Sequence, residues 1–437
     1  MDNKSFRNYI VFWLSQSVSQ LGSAMTGYAL IVWAYKQTGS VLTVSLMSFC
    51  SFAPYIIASS VTGPLIDRYK KKTIIVLSDL TAALSSLAVL LFLLQGNLKI
   101  GHIYGVNIII GFMNSLQSPA VSVAVNNMVP KDKYKQVSGM DSFSGNLVAV
   151  TAPMLAAFIL SVLGLEGVIF IDLISFLFAV AVLIFKVSIK ETGYKKKQQK
   201  EDYLSSLKSG YLYLMENKGL LYIMISIAFM NFFSRLTYEN ILSPMLIARS
   251  GGSDIAFGIV SAVLGIGGLI GGILVSAGKI FKSNLKMIYY SAACSFLLGD
   301  LLMGLGRNVY LWVIAGLAAS IPIPFISAGQ RIIMYEKIPK EMLGRIFAVR
   351  NAIQYSTIPF GILLGGVLAD FVFEPFMSSE NLLAAFLGSL VGRGKGSGMA
   401  VMFLITGILG TVSTLIGYHR KEVRNMENKE YSRYRSE

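Results

Sequence analysis

Charged and polar side chains inside an apolar stretch are the residues of this chain best placed to do chemistry. Within residues 219–247, Asn231, Arg235 and Glu239 follow one another at intervals of four. If the stretch is one helix, this spacing brings the three groups to one side, where Arg235 and Glu239 can pair. A charge near the centre of a membrane helix costs about 2.5–3.5 kcal/mol on insertion scales. The stripe therefore predicts either a polar strip that binds a solute or carries a proton, or a self-neutralised pair that holds the helix against its neighbours.

Asp141 and Arg350 form a second pair of candidates. They are separated by the same number of residues as two similar motifs, at 129–132 (VPKD) and at 338–341 (IPKE). The shared offset predicts an acid and a base at equivalent positions of two repeated halves, where they attract each other across a cytoplasmic gate. Two unrelated network residues are the alternative.

Further polar side chains in the apolar stretches predict a wide binding chamber. Amides and aromatics on apolar walls suit amphiphilic ligands, although hydrogen bonding between helices explains any single one equally well. The chamber candidates are Gln16, Gln20, Asn114, Gln117, Gln354 and Tyr355. Three buried acids, Asp79, Asp172 and Asp300, are predicted to have structural roles instead.

The elements that carry these side chains follow from composition. Of the 437 residues, 54% are hydrophobic and only 14% are charged. Soluble proteins are about 45–50% apolar and about 25% charged, so a soluble domain is excluded. A bilayer crossing takes roughly 20 apolar residues, and backbone groups in hydrocarbon must bond within their own helix unless a barrel closes. The sequence predicts an all-α integral membrane protein with twelve transmembrane helices in two pseudo-symmetric six-helix bundles.

The predicted bundles occupy residues 1–187 and 219–418, with a cytoplasmic linker at 188–218 and a cytoplasmic tail at 419–437. Most of the 38 lysines and arginines fall in loops on one side, which places both termini in the cytoplasm. Apolar residues at three-to-four spacing in the linker predict either an amphipathic helix on the inner leaflet or a solvated connector. The outer loop at about 372–398 is predicted to be a connector or a lid.

The loop after the second predicted span reads GPLIDRYKKK over residues 63–72. It resembles the loop signature of the major facilitator superfamily, with Gly63, Asp67 and Arg68 at the matching positions. A glycine permits close helix approach, and an aspartate accepts hydrogen bonds or pairs with cations. The resemblance implies a gating latch between Asp67 and Arg345.

Other segments resemble the macrolide-efflux branch of that superfamily. Residues 152–157 (APMLAA) are similar to its antiporter signature, in which Pro153 keeps the kink that belongs to the gating machinery. Residues 118–120 (SPA) and 343–347 (LGRIF) extend the match into both halves. Proton-driven exporters of the superfamily usually carry an arginine in span four, and here Ile110 stands near that place.

The resemblance implies a secondary active transporter that exports amphiphilic small molecules, such as macrolide-like or lipophilic drugs, across a bacterial cytoplasmic membrane by alternating access. We expect a small-molecule substrate, a coupling proton and membrane lipid as partners of a monomer, with no nucleic acid, cofactor, metal or catalytic residue. The alternatives are an exporter of an endogenous siderophore, peptide or other metabolite, and a non-transporting receptor or assembly factor. A membrane enzyme is disfavoured because the two histidines, His102 and His419, lie near membrane boundaries.

If Asp141 and Arg350 attract each other across the gate, either single reversal, Asp141→Arg or Arg350→Asp, should abolish transport through like-charge repulsion. The double reversal should restore it. The measurement is efflux of a labelled solute from cells that express equal amounts of each variant. A double variant as inactive as the two single variants would exclude the pairing.

Overall fold

The computed structural model describes residues 2–59, 68–130, 133–189, 203–278, 280–339 and 342–426, and every regular element in these ranges is a helix. The predicted all-α class is therefore confirmed. The chain divides into two compact units, Met1–Lys196 with Phe257–Ala262, and Lys197–Ala256 with Val263–Glu437. Two predicted gating residues, Gly63 and Asp67, lie outside the described residues. The last two residues of each repeated motif, at 131–132 and 340–341, also lie outside them.

Five long helices make up most of the first unit. Apolar side chains dominate their sequences, and the polar residues among them are spaced so that several point to one interior. The helices are α1 (Asp2–Thr38), α2 (Val41–Ser59), α3 (Lys71–Leu94), α4 (Ile100–Met128) and α5 (Tyr134–Phe185).

A backbone break at Gly164 divides α5. The helix has 52 residues, and Gly164 adopts φ 69°, a left-handed conformation that a residue with a side chain rarely takes. A straight helix of this length would extend about 78 Å at 1.5 Å per residue, far beyond the roughly 30 Å of a bilayer core. The break therefore separates two membrane crossings, and it falls between the fifth and sixth spans that the sequence predicts, at about 137–163 and 167–187.

The second half of the chain contains more and shorter helices in its described part. They are α6 (Tyr203–Glu216), α7 (Lys218–Thr237), α8 (Leu242–Arg249), α9 (Asp254–Ser276), α10 (Asn284–Leu305), α11 (Val309–Lys337), α12 (Leu343–Leu368, continued by a π-helical turn Ala369–Phe373 and by Glu374–Met377), α13 (Leu382–Val391) and α14 (Ser397–His419).

Ten helical segments of the described chain are long and apolar enough to cross a membrane. One of them, Gly139–Phe185, contains the Gly164 break and supplies two crossings. Helix α1, with 37 residues, is also long enough to cross, although its polar side chains lower its mean hydropathy. This arrangement is consistent with the twelve predicted crossings.

The span predicted at residues 219–247 is present as the helical segment Lys218–Arg249, in which a short turn at 238–241 separates α7 from α8. The turn contains Asn240, which is fully buried and donates from Nδ2 to the backbone carbonyl of Ile362 in α12, at 2.7 Å. Glu239 lies in the same turn.

The described part of the linker forms α6, whose apolar face packs on the second unit. Leu214 is fully buried in the core of that unit. A Cβ added at Gly210 would lie 3.0 Å from the backbone oxygen of Arg345, so the glycine lets α6 approach α12 closely. The Tyr213 hydroxyl donates to the carbonyl of Lys337 at 3.2 Å, and burial raises its pKa, which keeps it a donor. Leu214, Tyr213 and Gly210 of α6 thus lie against the rest of this unit, whereas Tyr211 and Met215 are exposed.

The loop predicted at 372–398 contains a helix that the sequence reading missed, α13. Its C-terminal carbonyls accept hydrogen bonds from two arginines: Arg307 donates to Ser389 and Leu390 at 2.6 and 3.0 Å, and Arg249 donates to Val391. Cations at a helix C-terminus are favourable because the last carbonyls carry partial negative charge. With ten residues, α13 is apolar but too short to be predicted as a membrane crossing.

Leu214→Ala should loosen α6 from the second unit, because it removes a fully buried side chain whose loss typically destabilises by about 2–5 kcal/mol. We expect faster trypsin cleavage after the exposed Lys208, measured by mass spectrometry of timed digests. Leu212→Ala is the matched control, because Leu212 is 52% exposed. Equal cleavage rates in the two variants would show that α6 is not held by this packing.

Candidate functional site

A cavity of about 840 Å³ lies inside the first unit, between side chains of α1 to α5. Tyr9, Trp13 and Tyr55 contribute aromatic walls, and amides, hydroxyls and carboxylates contribute polar points. Small-molecule sites are clefts of about 300–1,000 Å³ with apolar walls and a few polar groups, and this cavity falls within that range.

Asp79 of α3 is the most highly connected polar group at this cavity. Its side chain is only 3% exposed, and each of its two oxygens accepts a hydrogen bond from a different helix. Gln16 of α1 donates from Nε2 to Oδ2 at 3.1 Å, and Gln117 of α4 donates from Nε2 to Oδ1 at 2.6 Å. One carboxyl group thereby fixes three helices around the cavity.

Asp141, near the start of α5, is connected to α1. Its Oδ1 accepts from the buried hydroxyl of Tyr9 at 2.9 Å, and the Asp141 side chain is otherwise exposed at the cavity. One turn further along α5, Ser144 donates to Ser17 of α1 at 2.7 Å. These two contacts align the first half of α5 with α1 and present the Asp141 carboxylate to the interior.

Asp172, in the second half of α5, completes the set of acids at the cavity. It is buried, and its Oδ2 accepts from Ser86 of α3 at 3.1 Å. Sequence reasoning gave Asp79 and Asp172 structural roles and did not place them at a cavity. A signal was present, because Gln16 and Gln117 are amide donors in neighbouring apolar stretches and a buried acid needs such donors.

The chamber residues predicted in the first unit all line this cavity. Gln16 and Gln117 are half-buried and hold Asp79, whereas Gln20 and Asn114 are exposed on its surface. Pro153 lies in the interior of α5, between the cavity-lining part and the Gly164 break.

In the second unit the predicted stripe separates into two parts. Arg235 and Glu239 form an ion pair, with side chains 36% and 26% exposed. Asn231 instead faces α12, where its Nδ2 donates to the backbone oxygen of Gln354 at 3.2 Å. The Gln354 side chain is buried at this interface, whereas Tyr355 is exposed.

Among the described gating candidates, Arg350 contacts neighbouring residues of its own helix. Arg350 donates to Oδ1 of Asn351 from Nη2 at 2.7 Å and from Nε at 3.1 Å, and its guanidinium lies 4.6 Å from the ring centre of Phe347. Arg345 is half-buried in the first turn of α12, and Arg68 is exposed. The proposed roles of these residues stay predictions.

A long-helix membrane fold with a solute-sized cavity inside one unit defines the class of polytopic membrane transporters. The family model described as Major Facilitator Superfamily matches residues 12–362. The chain belongs to this family, whose members are transporters and not enzymes.

Two relatives and one solved structure give the range of similarity. The chain is 26% identical over 368 residues to macrolide efflux protein A of Streptococcus pyogenes, covering 83% of this chain and 89% of that protein. It is 23% identical to the enterobactin exporter EntS of Shigella dysenteriae, covering 81% and 83% respectively. The crystal structure of the nucleoside transporter NupG superposes with a TM-score of 0.68 at 13% identity, over 95% of this chain and 100% of that one, which supports the fold alone.

Removing either amide donor from Asp79 should destabilise the first unit. Gln16→Leu and Gln117→Leu each leave a buried carboxylate oxygen without its donor, at a cost of about 1–3 kcal/mol. We expect lower thermal unfolding temperatures of the purified protein for both variants. Gln20→Leu is the control, since Gln20 is exposed and has no hydrogen bond within the described chain. If all three variants unfold at the same temperature, Asp79 does not organise these helices.

Proposed function

We propose that the protein is a secondary active transporter that exports amphiphilic small molecules, including macrolide-like or other lipophilic drugs. It works as a lipid-embedded monomer in a bacterial cytoplasmic membrane with both termini inside. The observation that carries the proposal is the cavity of about 840 Å³, with aromatic and apolar walls and a few polar side chains. Such a surface accommodates a large apolar molecule and orients it through a few hydrogen bonds.

Two lines of support favour export of such compounds. Macrolide efflux protein A is similar over most of both chains. The Pro153 segment resembles the antiporter signature of the family, and a proline inside α5 removes one backbone hydrogen bond and allows the helix to bend. A bend of this kind lets one end of the cavity open while the other closes.

Transport proceeds by alternating access, in which the two repeats rock about the bound solute. Asp67 with Arg345, and Asp141 with Arg350, are the charge pairs proposed to hold the cytoplasmic side closed. Their present partners, Tyr9 for Asp141 and Asn351 for Arg350, are neutral side chains. Exchange of a neutral partner for an ion pair changes little in the helices themselves, which suits a reversible gate.

Proton exchange drives the export, with Asp141 and Glu239 as the candidate carriers. Glu239 is neutralised by Arg235, four residues before it, so proton binding to Glu239 would break an ion pair. Asp141 has a neutral hydroxyl as its partner and lies at the cavity surface, where both a proton and a solute can reach it. Asp141 is therefore the first carrier to test.

An exporter of a siderophore or another metabolite is the second candidate, favoured by the similarity to the enterobactin exporter. In that case Arg235 is the expected counter-charge for an anionic solute. Its pairing with Glu239 weakens this candidate, because an anion would have to displace a carboxylate that is already in place.

The direct test is solute flux into proteoliposomes with an imposed proton gradient, with and without a protonophore, using a macrolide, a lipophilic cation and a siderophore. We expect gradient-dependent movement of the macrolide or the lipophilic cation. Asp141→Asn or Glu239→Gln should uncouple flux from the gradient at the residue that carries the proton. Movement of the siderophore alone, lost in Arg235→Ala, would favour the second candidate, and no flux of any solute would contradict transport of these classes.

A further inference from the structure

The charges at the cavity of the first unit are all of one sign. Three carboxyl groups line it, Asp79 on α3 and Asp141 and Asp172 on the two halves of α5. Among the described residues that line the cavity, there is no lysine, arginine or histidine. Ile110 of α4 is one of the apolar residues of that lining.

The hydrogen-bond partners of these acids are neutral groups, so none of them supplies a counter-ion. The donors are the amides of Gln16 and Gln117 and the hydroxyls of Tyr9 and Ser86. In addition, the buried Oδ1 of Asp172 has no hydrogen-bond partner within the described chain. A negative charge in a low-dielectric site attracts a cation far more strongly than in water.

The cavity also contains the surfaces that organic cations prefer. The half-buried rings of Trp13 and Tyr55 lie at its surface, and the buried rings of Tyr9, Phe12 and Phe176 lie directly behind it. Aromatic faces attract ammonium groups through the ring quadrupole, by about 0.5–2 kcal/mol depending on desolvation. Carboxylates beside aromatic walls therefore match one ligand chemistry, an apolar body that carries a positively charged nitrogen.

We propose that this cavity selects its solute by charge and binds amphiphiles that carry a protonated amine or another organic cation. Asp141 contacts the cation directly, because its side chain is exposed and its Oδ2 has no partner within the described chain. Asp79 and Asp172 are buried positioning residues, and a cation in the cavity favours their charged forms, which strengthens the attraction. The inference rests on the proposed export function and narrows its substrate class, since it excludes anionic solutes.

The test is equilibrium binding of two probes to the purified full-length protein, tetraphenylphosphonium and tetraphenylborate. The two ions have nearly the same shape and size and opposite charge, so their difference isolates electrostatics from apolar contact. We expect the cation to bind at least about tenfold more tightly, a ratio that corresponds to a modest Coulomb term in a partly buried site. Equal binding of the two ions, or tighter binding of the borate, would overturn the proposal.

Substitutions test whether the acids that line the cavity cause the preference for the cation. Asp141→Asn and Asp79→Asn should each weaken phosphonium binding by about tenfold or more and leave borate binding unchanged or stronger. Ile110→Arg should have the same effect without removing any acid, which covers the case in which Asp79→Asn does not fold. Asp300→Asn is the matched control, because Asp300 is buried in the second unit, accepts from Thr406 at 2.8 Å and does not line the cavity. Phosphonium binding that survives all three cavity variants would overturn the proposal.

The binding test and the flux test distinguish failure of the charge selection from failure of the export function. Selective binding of the cation without flux of any solute would support the charge selection and contradict export. Flux of a macrolide with equal binding of the two ions would support export and overturn the charge selection.

Discussion

The structure depends on one constraint, that a polar group inside hydrocarbon must find its partner within the protein. Asp79 shows how the first unit meets it. Without Gln16 and Gln117, this almost fully buried carboxyl group would lose both of its hydrogen-bond donors within the described chain. The helices α1, α3 and α4 therefore pack at the distances that these two hydrogen bonds allow. The cavity is the space that this packing leaves open.

The second unit meets the same constraint mainly through backbone groups. Asn240 and Asn231 donate to carbonyls of α12, which joins α7 to α12 along their length. At the start of α14, Glu374 accepts from the backbone amides of Gly396 and Met399 at 3.2 and 3.0 Å. These amides are among the first of a helix, which have no partner inside it, and a carboxylate there also faces the positive end of the helix dipole. Contacts of this kind stabilise the helix ends and leave few side chains available for a solute.

Hydropathy predicted the fold because long apolar helices are nearly the only solution in a bilayer, and the break at Gly164 falls between the fifth and sixth predicted spans. It missed α13, whose ten residues are apolar but too few to cross a bilayer. For the site, the sequence identified the amides Gln16 and Gln117 but not the acid they hold. The sequence shows which residues can donate and accept hydrogen bonds. Only the packing of the helices decides whether Gln16 and Gln117 bond to Asp79 or to another acid such as Asp300.

A binding group inside a membrane protein must be held in place and yet keep its charge available, and the two acids at positions 79 and 239 meet these demands differently. Glu239 is held by Arg235, which fixes its position and cancels its charge. Asp79 is held by two amides, which fix its position equally well and leave the charge to act on the cavity. The second arrangement costs stability, since a buried charge without a counter-ion is unfavourable until a cation or a proton arrives. The position of Asp79 at the cavity wall therefore indicates that its carboxyl group acts on the solute or proton that enters the cavity.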